Sequence, residues 1–67
     1  MSSVYKKIEV VGISATSMDE AINNAVEEAA KSVHGMRWFE VVEQRGRITN
    51  GKADQFQVTI KVGFKID

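Results

Sequence analysis

Over residues 55–66 the chain alternates almost without a break: Phe56, Val58, Ile60, Val62, Phe64 and Ile66 point one way, and Gln55, Gln57, Thr59, Lys61, Gly63 and Lys65 point the other. This period of two is the signature of a half-buried strand, so the stretch 54–66 has one face in a core. Asn50-Gly51 precedes it, and both residues accept the positive φ of a type I′ turn, which makes residues 36–47 the expected partner strand of a hairpin. In that strand the same alternation puts Phe39 and Val41 on the core face and Trp38, Glu40, Val42 and Gln44 on the other. The only tryptophan of the chain is thus expected off the core.

The turn also sets a register. If Thr49 faces Lys52, Glu40 meets Lys61, Gln44 meets Gln57 and Trp38 meets Gly63. An opposite-charge pair and an amide pair on one face are what cross-strand pairing favours. A glycine opposite the indole leaves its ring uncovered by that neighbour. A bulge near Gly46 would shift this register by one.

Sixty-seven residues make one small domain, 1–67. For such a chain apolar burial set against an entropy of about 1.5 kcal/mol per ordered residue ends near zero. There is no cysteine and one histidine, so neither a disulfide nor a metal staple makes up the difference. Oligomerisation is the remaining common route, and it would shelter Trp38 and Val42. Nine basic and nine acidic residues are interspersed with no net charge, which argues against nucleic acid as a partner. No apolar run approaches the roughly 18–20 residues of a membrane span and the N-terminus has no signal-sequence pattern, so a cytoplasmic location is expected and no membrane partner.

Residues 4–11 read as a strand ended by Gly12, with Val4, Lys6, Ile8 and Val10 on one face and Tyr5, Lys7, Glu9 and Val11 on the other. Ser14-Ala15-Thr16 connects it to Ser17-Met18-Asp19-Glu20, a capping box that starts a helix at Met18. Ala21, Ile22, Ala25, Val26, Ala29, Ala30 and Val33 form one apolar stripe, alanine-rich enough for helix and sheet to approach closely. His34-Gly35 is expected to close the helix, Gly35 in the left-handed conformation and His34 as a cap. The resulting α+β fold is β-α-β-β, a three-stranded antiparallel sheet of order 1-3-2 with the helix on one face and the other face open.

Trp38 is the first candidate for function. Its indole offers either an interface anchor, a role in which Trp is enriched, or a stacking platform for a planar ligand. Gln57 and Gln44 add amides that donate and accept, which suits a heteroaromatic ring. Arg45, Arg47 and Lys65 are candidate phosphate contacts. Catalysis has little support: no paired carboxylates with evident burial, no cysteine nucleophile and no glycine-rich phosphate loop, since Gly12 stands alone.

Trp38-Phe39-Glu40-Val41, the following Gly46, Phe56-Gln57-Val58 running into Lys61-Val62-Gly63-Phe64, and Val4-Tyr5-Lys6-Lys7 with Val11-Gly12 together resemble the dodecins. The resemblance covers essentially the whole chain with spacing preserved. It implies β-α-β-β subunits assembled into a hollow homododecamer of cubic symmetry that binds flavin without catalysing its chemistry. By the same resemblance, Trp38 would stack on the isoalloxazine, with two flavins lying between symmetry-related tryptophans, and Gln57 would hydrogen-bond the ring. Arg45 and Lys65 match positions near the phosphate of FMN, Lys65 keeping the charge without an arginine fork. Riboflavin and FAD share the ring contacts, and coenzyme A is a further candidate ligand because some bacterial members bind it. Trp38 and Gln57 lie six residues apart along the strands, roughly 20 Å at about 3.3 Å per residue, so each pocket is expected to join side chains of different subunits. Storage and photoprotection of free flavin is the role this reading suggests. Its rivals are a structural or regulatory oligomerisation module with Trp38 as interface anchor, and a coenzyme A or nucleotide carrier using the basic residues alone.

Overall fold

The strand with the cleanest alternation lies in the middle of the sheet, where both of its edges are paired. The computed structural model describes residues 3–66, with Met1, Ser2 and Asp67 of the 1–67 span outside the described residues. Its elements are β1 (Val4–Ser14), α1 (Met18–Ala30), β2 (Met36–Thr49) and β3 (Lys52–Ile66), in sheet order β1-β3-β2 with both pairings antiparallel. Val58, Ile60 and Val62 of β3 are fully buried under Ala21 and Ala25 of α1, as the alternating pattern requires. Asn50 (φ 53°) and Gly51 (φ 76°) both take positive φ in the hairpin turn.

The helix begins as expected and ends earlier. Ser17 caps it, its Oγ accepting from the Glu20 amide at 3.0 Å. The Glu20 carboxylate does not return to Ser17; it accepts from the Ser14 hydroxyl at 2.7 Å, while Ser14 Oγ accepts from the amides of Thr16 and Ser17. One buried serine thus replaces the reciprocal arm of the capping box. It is available because β1 runs two residues past Gly12, with Ile13 and Ser14 paired to Gln57 and Phe56. At the other end Lys31 is the C-cap, so His34 and Gly35 lie beyond the helix and His34 is not a cap. Gly35 keeps a positive φ of 77°, but in the turn into β2, where its carbonyl accepts from the Lys65 amide at 3.1 Å.

A helix is about 10–12 Å across and strands are spaced about 4.8 Å apart, so one helix covers about two strands. Here the covered strands are β1 and β3. On the helix side of β2, Phe39 is 48% and Val41 40% exposed, so these two residues, expected in the core, are not in it. A hollow of about 230 Å³ opens there beside Val26, Met36 and Phe39. The subunit measures 55 × 20 × 13 Å with a radius of gyration of 14.0 Å, against about 11 Å for a compact chain of this length. A slab of these proportions, with apolar side chains on both faces of one strand, has the surface of a part in an assembly.

Between β2 and β3, Thr49 pairs with Lys52, Glu40 with Lys61 and Trp38 with Gly63, as the turn dictates. The ladder slips between these points. Asp54 is passed over between the Arg47–Gln55 and Ile48–Ala53 pairs, and Val42 is passed over between Val41 and Glu43. The extra residue of a bulge is left unpaired and reverses the phase of alternation beyond it. Inside this window Gln57 therefore pairs with Arg45, and Gln44 pairs with Val58 on the helix side. The Gln44–Gln57 pair expected from uninterrupted alternation is not formed.

Candidate functional site

The face away from the helix carries Tyr5, Lys7, Glu9, Val11 and Ile13 from β1, the polar set of β3, and Trp38, Glu40, Glu43, Arg45 and Arg47 from β2. The candidate residues on it fall into two groups, one at each end.

At one end Trp38 lies down across the central strand. A Cβ placed on Gly63 would stand 2.6 Å from the indole Cη2 and closer still to Cε2 and Cζ2. The glycine is therefore the seat on which the ring rests, and its role goes beyond leaving the indole uncovered. From the far strand the Tyr5 ring meets it, with centroids 5.3 Å apart and planes inclined at 56°. The residue stays 40% exposed, which leaves indole surface free on a face shared with charged side chains at this end and with the exposed Val11 and Ile13 farther along β1. Beside it Lys7 and Glu40 form an ion pair across β3. The hydrogen bond from Lys7 holds the Glu40 carboxyl below the usual carboxylate range, with smaller help from the Trp38 side chain and from the charge of Lys61. Lys65 pairs with Tyr5, one open-face position from the tryptophan seat along β3.

At the other end the side chains form a relay. Arg45 Nε donates to Gln57 Oε1 at 2.6 Å, and Gln57 Nε2 donates to Gln55 Oε1 at 2.7 Å. Arg47 forks onto Asp54 with two bonds of 3.0 Å, which raises the guanidinium pKa and lowers that of the carboxyl, the latter aided by Thr49. That fork is committed to stapling the hairpin at the bulge, which leaves Arg47 fewer free donors than Arg45, whose bond to Gln57 uses Nε alone.

The fold thus brings Arg45 to Gln57 and places Lys65 close to Trp38. It keeps Trp38 and Gln57 at opposite ends of one face: Gly63, paired with Trp38, is six residues from Gln57, roughly 20 Å along β3. Gln44 is on the other side of the sheet, in a hollow with Met18 and Phe56. Tyr5, Lys7 and Glu40 belong to the tryptophan end and were not singled out from the sequence. Their signal was there in part, since alternation puts Tyr5 and Lys7 on the open face, but the crossing of a ring over Gly63 depends on side-chain conformation. Among the described residues no three His, Cys, Asp or Glu side chains are grouped to hold a metal ion, and no helix is long and apolar enough to cross a membrane.

A model of the Dodecin family matches residues 4–67. A protein named dodecin from Thermus thermophilus is 40% identical over the full chain and 97% of its own length. The solved structure of a dodecin from Streptomyces davaonensis superposes with a TM-score of 0.92 at 40% identity, covering 100% of this chain and 98% of that one. A calcium dodecin of Mycobacterium tuberculosis, whose structure is described as having a novel calcium-binding site, is 34% identical with a TM-score of 0.82, covering 97% and 93% of the two chains.

Proposed function

Because the chain belongs to the dodecin family of small ligand-binding proteins, we propose that it binds flavin, with FMN, riboflavin or FAD stacked on Trp38. The observation that carries this reading is the indole laid over Gly63 with surface left exposed, since a flat, preset aromatic surface fits a planar heteroaromatic ligand. Gln57 would meet the ring through its amide, oriented by Arg45, and Arg45 and Lys65 would supply positive charge to a phosphate. Since one chain holds Trp38 and Gln57 roughly 20 Å apart, each pocket takes its tryptophan and its glutamine from different copies. The uncovered β2 strand favours assembly, and a homododecamer is the form proposed.

The role proposed is storage, sequestration and photoprotection of flavin in the cytoplasm without turnover. An electron-rich indole stacked on an isoalloxazine quenches its excited state, which protects both ligand and surroundings. Titration of ligand-free protein with FMN should therefore quench flavin fluorescence, with a particle near twelve subunits by mass in solution. Trp38→Ala should weaken binding by at least about tenfold, from lost stacking and lost apolar burial, without dissociating the particle. Unchanged FMN fluorescence at micromolar protein, or dissociation caused by Trp38→Ala, would make the tryptophan an interface anchor. Coenzyme A binding that survives Trp38→Ala would favour a carrier that uses the basic residues.

A further inference from the structure

We propose that Tyr5 is a positioning residue for the ligand site, holding the Trp38 indole flat over Gly63 so that the stacking surface exists before a ligand arrives; this deepens, and rests on, the flavin reading above. Tyr5 and Trp38 stand on the two outer strands, with β3 between them. Two strand spacings put their backbones about 10 Å apart, too far for short side chains to meet. The rings meet at 5.3 Å only because position 63, directly under the indole, has no side chain.

The indole is thereby restrained on two sides. The Gly63 backbone lies under one face, and the Tyr5 ring, inclined at 56°, blocks rotation toward β1. The tilt is one that aromatic pairs prefer over a face-to-face sandwich. A side chain immobilised in advance loses less freedom on binding, so its partner raises affinity without touching the ligand. The hydroxyl plays no part in this restraint, since the contact is ring to ring.

Trp38 is the only tryptophan in the chain, so its local motion is directly readable by time-resolved fluorescence anisotropy of ligand-free protein. Tyr5→Val keeps a residue suited to a strand and removes the ring. It should speed the local depolarisation of Trp38 and weaken FMN binding about fivefold, the scale of one freed side chain. Tyr5→Phe should match the parent in both. Unchanged depolarisation in Tyr5→Val would overturn the assignment, as would a Tyr5→Phe protein as impaired as Tyr5→Val. If the parent protein fails to quench FMN, the flavin reading falls, and the depolarisation of Tyr5→Val still decides whether Tyr5 restrains the indole.

Discussion

Gly12→Ala should cost about 3 kcal/mol of subunit stability, read as a lower urea midpoint with an unchanged slope. Gly12 lies on the helix side of β1 opposite Val58, where α1 comes down on the sheet. A Cβ there would stand 2.8 Å from the Ala25 methyl carbon and would overlap the Ala21 carbonyl oxygen more severely. Neither can yield cheaply: one is the smallest side chain that carries a Cβ and the other is helix backbone. The alternatives are to lift the helix off Val58 and Ile60 or to bend β1. At about 0.05–0.15 kcal/mol per residue, total stability for a chain of this length is about 3–10 kcal/mol, so the loss takes a large share of it. Gly51→Ala provides the contrast. Nothing lies within 4 Å of its added Cβ, and only its φ of 76° resists substitution, so its cost should be nearer about 1 kcal/mol. Equal midpoints for Gly12→Ala and the parent would show that the helix does not sit as closely as the structure places it.

Gly63→Val should abolish the proposed flavin-stacking surface while leaving the sheet intact. The substitution puts a branched side chain where the indole rests, so the ring must swing off the face and lose Tyr5 as well. Loss of the stacked surface together with its restraint should weaken FMN binding on the order of 100-fold. Valine is otherwise at home in a central strand, and β3 already carries it at positions 58 and 62. Circular dichroism and particle mass should therefore resemble the parent while flavin quenching disappears. If quenching persists, Trp38 does not bind ligand in the orientation described, and the face must be read again from Lys7 and Glu40.

Much of the fold was legible because local and long-range signals agreed. Asn50-Gly51 marked the hairpin, the alternation of β3 marked its buried face, the helical return between β1 and β2 put β3 between them, and Ser17 marked the start of α1. The bulges were legible in part. One was expected near Gly46, and the ladder does shift by one beside it, between Arg47 and Ile48 where Asp54 is passed over; the second slip, at Val42, is announced by no residue type. That pair of slips moved Gln44 off the candidate face and brought Arg45 to Gln57. The reach of the helix was also missed. Phe39 and Val41 look like core residues in any period-two reading, and only the width of a single helix against three strands shows that they stay exposed. Of the site, alternation placed Trp38 and the pairing rule placed Gly63 opposite it. That the ring would lie across the strand onto Tyr5 is a fact of rotamers, which no periodicity encodes.

The distance between Trp38 and Gln57 has a genetic consequence. If each pocket draws these two side chains from different chains, lesions at the two positions complement each other although both lie in one gene. A chain that has lost Gln57 still donates its indole, and one that has lost Trp38 still donates its amide, so mixed particles regain some intact pockets that neither mutant forms alone. A site contained within one subunit would give no such recovery at any mixing ratio.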